Sequence, residues 1–350
     1  MNARRSLRAE GPVFAGGPLR PNAVPARDAR YARKPIKVVI QLPCRDEAEQ
    51  LPATLAALPR RLPGVDEVEW LVIDDGSSDD TADVAIAHGA HAVLRLPHNR
   101  GLARAFCAGL EAACRRGADV IVNVDGDNQY DAAAIPELVA RVLAGRADIV
   151  VGCRPIERIA HFPWWKKRLQ RLGSAVVRAA ASVRVDDATS GFRAYSRDAA
   201  MRLNVYSSYT YTLETLIQAG QSGLRVEGMP VGVNPPTRPS RLIRSVPQYL
   251  GRSMLTIVRS FLTYRPLEFF LVPSGLCMSL GALIGARFLY AFAQGDGDGH
   301  VQSLILSALL IVVGTVGAAV GLLANQMVVN RRLLEEQQQS RRRAEWRPPA

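Results

Sequence analysis

The chain has 350 residues, 44 Lys and Arg against 32 Asp and Glu, and a formal net charge of +12. Such a balance asks for anionic partners, but most of the excess lies at the two ends, and no folded basic face with aromatic stacking partners is legible, so nucleic-acid binding is not expected. The five cysteines form no CxxC pair, which excludes a zinc ribbon and a disulfide framework and suits a reducing compartment.

Residues 1–34 form a Pro/Gly/Arg-rich leader with eight Lys and Arg against Glu10 and Asp28. It lacks an apolar segment, so no signal peptide is expected, and its composition predicts disorder. From residue 35 to 235 short β-rich runs alternate with helical patterns. Lys37–Leu42, Trp70–Ile73, Ala92–Leu96, Val120–Val124 and Asp148–Gly152 are short, continuous and Val/Ile/Leu-rich, as expected of strands covered on both faces. Helical patterns lie between them at Glu47–Leu58, Asp80–His88, Leu102–Arg115 and Ala132–Ala144. This alternation predicts an α/β fold with a doubly wound, Rossmann-like sheet. Ligands of such sheets bind beyond the carboxyl ends of the strands.

The polar clusters that follow the strands are therefore the candidate site. Pro43-Cys44-Arg45-Asp46-Glu47 follows the first strand, where Asp46 is expected to cap a helix and Arg45 and Glu47 to face the crevice. Asp74-Asp75-Gly76-Ser77 follows the second, with Asp75 expected toward ligand and the serines capping the next helix. His98-Asn99-Arg100-Gly101 opens the third helix as a turn. Asp125-Gly126-Asp127 follows the fourth strand. Side chains two apart in extended backbone point the same way, so two hard carboxylates are expected to converge and suit Mg²⁺ or Mn²⁺ bridging a diphosphate. Gln129 stands two residues further on. Arg154 follows the fifth strand, and Asp187 to Arg193 form a tight polar loop.

The segments LPCRDEAEQL, LVIDDGSSDDT, HNRGLARAFCAGL, NVDGDNQYD, VGCRP, DATSGFRAYSR and TYTLETLIQAG occur in this order. Together they resemble family 2 glycosyltransferases of the GT-A fold, within it the dolichyl-phosphate mannose synthases and bacterial polyprenyl-phosphate sugar synthases, over roughly residues 36–245. The resemblance implies nucleotide contacts at Pro43, Arg45, Glu47, Ile73 and Asp75. It implies donor-diphosphate and metal contacts at Asp125, Gly126 and Asp127, with Gln129 as a further metal ligand. Arg154, Arg238 and Arg241 would meet donor or lipid phosphate. Two positions depart from the pattern: Arg45 stands where many relatives carry Tyr or Asn, and Gly126 where the mannose synthases usually carry Ala. Processive polysaccharide synthases share the first half of the pattern, but their Gln-x-x-Arg-Trp motif is absent from this chain.

Residues 236–267 read as amphipathic interface helices: Leu242, Ile243, Val246, Tyr249, Leu250, Met254 and Ile257 recur near helical spacing, with Arg244, Arg252 and Arg259 beside them. Residues 268–330 hold two candidate spans, Phe269–Ala293 and Val301–Val329, each long enough for a hydrocarbon core that needs ~20 apolar residues. Their connector carries Asp296 and Asp298 but no Lys or Arg, so the positive-inside rule predicts both termini and the catalytic domain in the cytoplasm. The small residues in the spans leave room for helix packing and a homo-oligomer. Residues 331–350 read as a basic, solvated cytoplasmic tail.

The expected activity is inverting transfer of a sugar from a GDP- or UDP-linked donor to a polyprenyl phosphate. Asp127 is expected to be the most sensitive position, Asp187 to orient the acceptor or take a residual proton, and Arg193 with Lys167 and Arg171 to hold the acceptor phosphate. A different membrane acceptor, or a non-catalytic scaffold retaining the fold, is the competing reading.

Overall fold

The computed structural model of the chain describes residues 34–155, 183, 185–205, 211–235, 251, 258, 262, 265–295 and 301–346. The chain divides after Lys34, and the unit Pro35–Ala350 holds every element described below. The expected site residues Lys167, Arg171, Arg238 and Arg241, and most of the expected amphipathic stretch, lie outside the described residues.

Strand β1 (Lys37–Cys44) is buried along nearly its whole length. Helix α1 (Leu51–Ala57) leads to β2 (Glu67–Asp74), α2 (Thr81–Ala87) and β3 (Ala92–Arg95). Helix α3 (Leu102–Arg115) follows, then β4 (Val120–Asn123), a short 3-10 turn (Ala132–Ala134), α4 (Ile135–Leu143) and β5 (Ile149–Cys153). Every strand and helix expected from the hydropathy pattern is present in this stretch. The reason is local: β4 and β5 are uninterrupted buried runs, whereas α3 places Ala103, Phe106, Leu110, Ala113 and Cys114 on one buried stripe.

The remaining elements are β6 (Arg193–Ser196), α5 (Arg197–Arg202), α6 (Thr212–Gln221) and β7 (Val226–Pro230). The seven strands order as β3-β2-β1-β4-β6-β5-β7. Strand β6 runs antiparallel to both β4 and β5, and the other pairings are parallel. One reversed strand has a direct consequence. Arg193 begins β6 in register with Asn123 at the end of β4 and with Val151 in β5. The loop before β6 is thereby delivered to the edge where β1, β2 and β4 end. Two apolar layers cover the sheet, one built around Phe106, Tyr195 and Tyr211, the other around Trp70, Leu51 and Phe192.

Two long helices complete the chain: α7 (Pro266–Ala293) and α8 (Val301–Glu345). Both are long and apolar enough to cross a membrane. They pack closely on each other through small residues: a Cβ on Gly281 would lie 2.9 Å from Ile311 Cγ1, and the Ser307 hydroxyl donates to the Gly281 carbonyl at 2.7 Å. The helix packing for which the small residues left room occurs within this hairpin. Helix α8 also runs well past Val329. The stretch expected to be a solvated tail is helical to Glu345, and Trp346 at its end is buried in the same apolar layer as Phe106. Burial of a large indole against that layer outweighs the high charge of the flanking arginines.

Candidate active site

The loops after β1, β2 and β3 are sewn together by polar contacts between residues far apart in sequence. The Ser77 hydroxyl accepts from the Asp46 N–H at 3.0 Å, and the Asp46 carboxylate accepts from the Ser78 N–H at 2.8 Å. Thr81 Oγ1 accepts from the Glu47 N–H at 2.9 Å. Asp46 was expected to cap α1; instead it adopts a left-handed backbone, φ 51°, and bonds across to the β2 loop, while α1 starts at Leu51 with no side-chain cap. Ser77 and Ser78 likewise bind Asp46 rather than capping α2. Asp75 is buried, and its two oxygens accept the N–H groups of Arg100 and Gly101 at 2.7 and 2.8 Å. Gly76 permits this closure: its φ is +65°, and a Cβ there would lie 2.6 Å from the Asn99 nitrogen. Asp75 therefore fastens the β3 loop to the β2 loop at the crevice wall.

Of the expected nucleotide contacts, Glu47 and Asp75 lie in this wall. Arg45 is exposed and 3.7 Å from the Asp46 carboxylate. Pro43 is buried within β1, paired in register with Ile73. The Ile73 side chain is fully buried in the apolar layer that includes α3, which leaves its backbone as the part of the residue at the strand end.

Asp125, Gly126 and Asp127 form a tight turn just past β4. The turn is braced from three sides. Thr54 Oγ1 donates to the Gly126 carbonyl at 2.9 Å, Asn234 Nδ2 donates to the Asn128 carbonyl at 2.9 Å, and the Gln129 N–H donates to Asp127 Oδ1 at 3.3 Å. Asp125 presses against the β6 loop: a Cβ on Gly191 would lie 2.8 Å from Asp125 Oδ1. Burial and then the neighbouring Asp127 carboxylate push the Asp125 carboxyl up to about 7, against the pull of Arg154 and Arg193. A site that holds two carboxylates at the cost of disfavouring ionisation is one that a divalent cation relieves. The hard oxygen donors of Asp125 and Asp127 fit such an ion. The Gln129 carbonyl accepts from the Asn234 N–H at 2.9 Å.

Asp187 and Arg154 form one unit. The Arg154 guanidinium meets both Asp187 oxygens, Nε to Oδ2 at 2.6 Å and Nη2 to Oδ1 at 3.2 Å, and Thr189 Oγ1 donates to Oδ1 at 2.8 Å. Asp187 is fully buried. Burial works against its charge, but Arg154 and the Thr189 hydroxyl outweigh it and hold the carboxyl below its ordinary range. Both Asp187 oxygens are engaged by the Arg154 guanidinium, which fixes that side chain in place. Arg193 stands further from its expected role. It is fully buried, and its guanidinium donates to the Ser190 and Ala188 carbonyls and to Thr215 Oγ1 at 2.8 to 2.9 Å. An acceptor phosphate does not reach it; Arg193 knits the β6 loop to α6.

No sequence motif marks the polar floor beneath Asp125. Asn123 Nδ2 donates to the Gly191 carbonyl and to the Tyr211 hydroxyl, each at 2.9 Å, and Gln41 Nε2 donates to Asn123 Oδ1 at 2.8 Å. The Tyr211 ring stacks on Phe106 with centroids 3.9 Å apart. Tyr130 lies on the other side, with Arg154 5.8 Å over its ring. One signal was legible: Gln41 and Asn123 are amides inside otherwise apolar strands, and a buried amide needs partners.

The family model for "Glycosyl transferase family 2" matches residues 39–203. An uncharacterized glycosyltransferase of Mycobacterium tuberculosis is 35% identical over 205 residues, 57% of this chain and 86% of that protein. The undecaprenyl-phosphate mannosyltransferase of Micrococcus luteus is 31% identical over 206 residues, 56% of this chain and 83% of that protein. Among solved structures, glucosyl-3-phosphoglycerate synthase from Mycobacterium tuberculosis, in complex with Mn²⁺, UDP and glucosyl-3-phosphoglycerate, matches with a TM-score of 0.51 at 22% identity, covering 65% of this chain and 80% of that one. The mixed sheet with its single reversed strand is therefore a GT-A fold.

Proposed function

Because the chain belongs to glycosyl transferase family 2, we propose that it is a membrane-bound, inverting transferase that moves a sugar from a nucleotide-sugar to a polyprenyl phosphate. The observation that carries this reading is the conjunction, in one chain, of the Asp125–Asp127 turn at the strand ends and a hairpin of two membrane-length helices. The likeness to an undecaprenyl-phosphate mannosyltransferase points the same way for the acceptor.

In this reading Asp125 and Asp127, with Gln129, hold Mg²⁺ or Mn²⁺. When bound, the ion neutralises charge on the leaving nucleoside diphosphate. The chain's own residues do the rest. The wall built from Arg45, Glu47 and Asp75 takes the nucleoside. Asp187 holds the Arg154 guanidinium at the crevice, where it offers a positive field to phosphate. The tyrosine and amide floor excludes water from below Asp125. A lipid phosphate monoester is largely dianionic near neutrality, since its second pKa is ~6, so attack on the anomeric carbon needs no strong base. That agrees with an Asp187 already ionised and paired. Lys167, Arg171, Arg238 and Arg241 are the further candidates for phosphate contacts.

The positive-inside pattern supports a hairpin whose connector crosses the membrane, leaving the catalytic domain and both termini in the cytoplasm. Purified full-length protein in nanodiscs, given Mn²⁺, a polyprenyl phosphate and a panel of GDP- and UDP-sugars, is expected to form one acid-labile lipid-phosphate sugar. Product on a diacylglycerol but not on polyprenyl phosphate, or none with any donor, overturns the reading. Asp127→Asn retaining full transfer overturns the assigned site.

A further inference from the structure

The last helix does not stop at the membrane-length stretch. Its final turn reaches the catalytic domain and is held there by three kinds of contact: apolar packing, arginine-to-carbonyl hydrogen bonds and an ion pair. Trp346 is only 4% exposed and packs in the apolar layer that includes Phe106, Ala113 and Cys114 of α3. Arg342 Nη1 donates to the Met201 and Leu203 carbonyls, each at 3.1 Å, at the end of α5. Arg197, at the start of α5, donates to the carbonyls of Cys114 and Ala118 with one nitrogen and to the Trp346 carbonyl with the other. Arg343 pairs with Asp198 at 2.6 Å.

These partners are not arbitrary surface. Helix carbonyl ends carry partial negative charge and lack partners within the helix, and the guanidinium fork satisfies two carbonyls at once. The segment leaving α5 also leads toward the floor of the site: the Asn204 N–H donates to Gln218 Oε1 at 2.8 Å on α6, whose preceding residue Tyr211 bonds Asn123 beneath Asp125. A helix that packs on α7 at one end and grips α3 and α5 at the other makes a continuous strut of 45 residues between the hairpin and the catalytic domain.

We propose that Arg342, Arg343 and Trp346 form an intramolecular docking element that fixes the orientation of the catalytic domain relative to the membrane helices, so that the crevice meets an acceptor held in the bilayer. The occupant of the surface formed by α3 and α5 is this chain's own C-terminal turn. The orienting part does not depend on the reaction; the acceptor part rests on the function proposed above.

The test uses the full chain in nanodiscs. Spin labels at Ile86→Cys and Met327→Cys, both exposed positions, are placed in a background with Cys107 and Cys277 replaced by Ala. Wild type is expected to give one narrow distance distribution. Trp346→Ala with Arg342→Ala is expected to broaden it at least twofold, and Trp346→Phe to restore it. An unchanged distribution in the double variant overturns the docking role. Activity supplies a second readout. The double variant is expected to lose about tenfold in kcat/KM for a long-chain acceptor in the bilayer, with nucleoside-diphosphate binding in Mn²⁺ unchanged and transfer to a short, soluble prenyl phosphate retained. Equal loss on both acceptors overturns the orienting role. If wild type transfers sugar to neither acceptor, the functional reading fails while the distance measurement still decides the docking.

Discussion

A methyl group on Gly126 would stand 2.8 Å from the Cys44 thiol. The glycine in the Asp125–Asp127 turn and the cysteine at the end of β1 are therefore a matched pair, and the missing methyl at 126 is what makes room for the sulfur. Gly126→Ala alone is expected to cost roughly 1–3 kcal/mol through overpacking and to slow transfer by displacing Asp125 or Asp127. Cys44→Ala in the same chain should recover most of both losses. Denaturation midpoints and initial rates for the two single variants and the double give the coupling. Additive losses would mean that the two positions do not share this space.

Asp125 sets a pH dependence of stability. Burial and the neighbouring Asp127 carboxylate push its folded-state carboxyl up to about 7, well above the ordinary carboxylate range. A raised carboxyl means the folded chain binds the proton more tightly than the unfolded one, so metal-free stability is full below about pH 4 and declines as pH rises toward 7. Asp125→Asn removes the titration. Thermal unfolding in chelator at pH 5 and pH 8 should show a smaller loss for the variant than for wild type, while the variant loses transfer activity and its stabilisation by Mn²⁺. Equal pH slopes would remove Asp125 as the source.

Arg193 is expected to fail by unfolding rather than by weak acceptor binding. Replacing it with Met leaves the Ser190 and Ala188 carbonyls without their guanidinium, at a cost of about 3–5 kcal/mol. Denaturant midpoints should fall well before any change in acceptor KM is measurable. A stable Arg193→Met enzyme with a raised acceptor KM would return Arg193 to the acceptor site.

The Arg154–Asp187 pair behaves as one unit. Asp187→Asn leaves a largely buried guanidinium uncompensated, and Arg154→Gln leaves a buried carboxylate. Each is expected to lower stability by roughly 2–4 kcal/mol, and the double variant to cost less than the two losses combined. Transfer should fall in all three, because Arg154→Gln removes the positive group and Asp187→Asn removes the carboxylate that holds it at the crevice. A double variant with restored activity would exclude Arg154 from phosphate binding.

The helix hairpin supplies an internal control. Gly281 faces Ile311 and the Ser307 carbonyl within 3.0 Å, whereas a Cβ on Gly275 in the same helix meets nothing within 4 Å. Gly281→Leu is expected to lower the unfolding temperature in detergent, by an amount equivalent to about 1–3 kcal/mol, and Gly275→Leu to leave it unchanged. Similar effects at both positions would argue against close packing of the pair.

Much of this protein was determined by local sequence. Short Val/Ile/Leu-rich runs made β1, β2, β4 and β5, a 3.6-residue stripe made α3, and the polar clusters fall at the strand ends because each terminates such a run. Asp125 and Asp127 were legible for that reason, as were two membrane-length helices. Tertiary structure alone decided which polar groups face the crevice and which are consumed in holding it. Arg193, Asp187 and Asp75 look alike in sequence to any crevice-lining charge. Their partners on Thr215, Arg154 and Arg100 lie 22, 33 and 25 residues away, and nothing local specifies them. The reversal of β6 brings the Asp187–Arg193 loop beneath Asp125. Burial of Trp346 turns a basic tail into a strut, because an indole gains more from the apolar layer of α3 than the neighbouring arginines lose when their charges find carbonyls and Asp198.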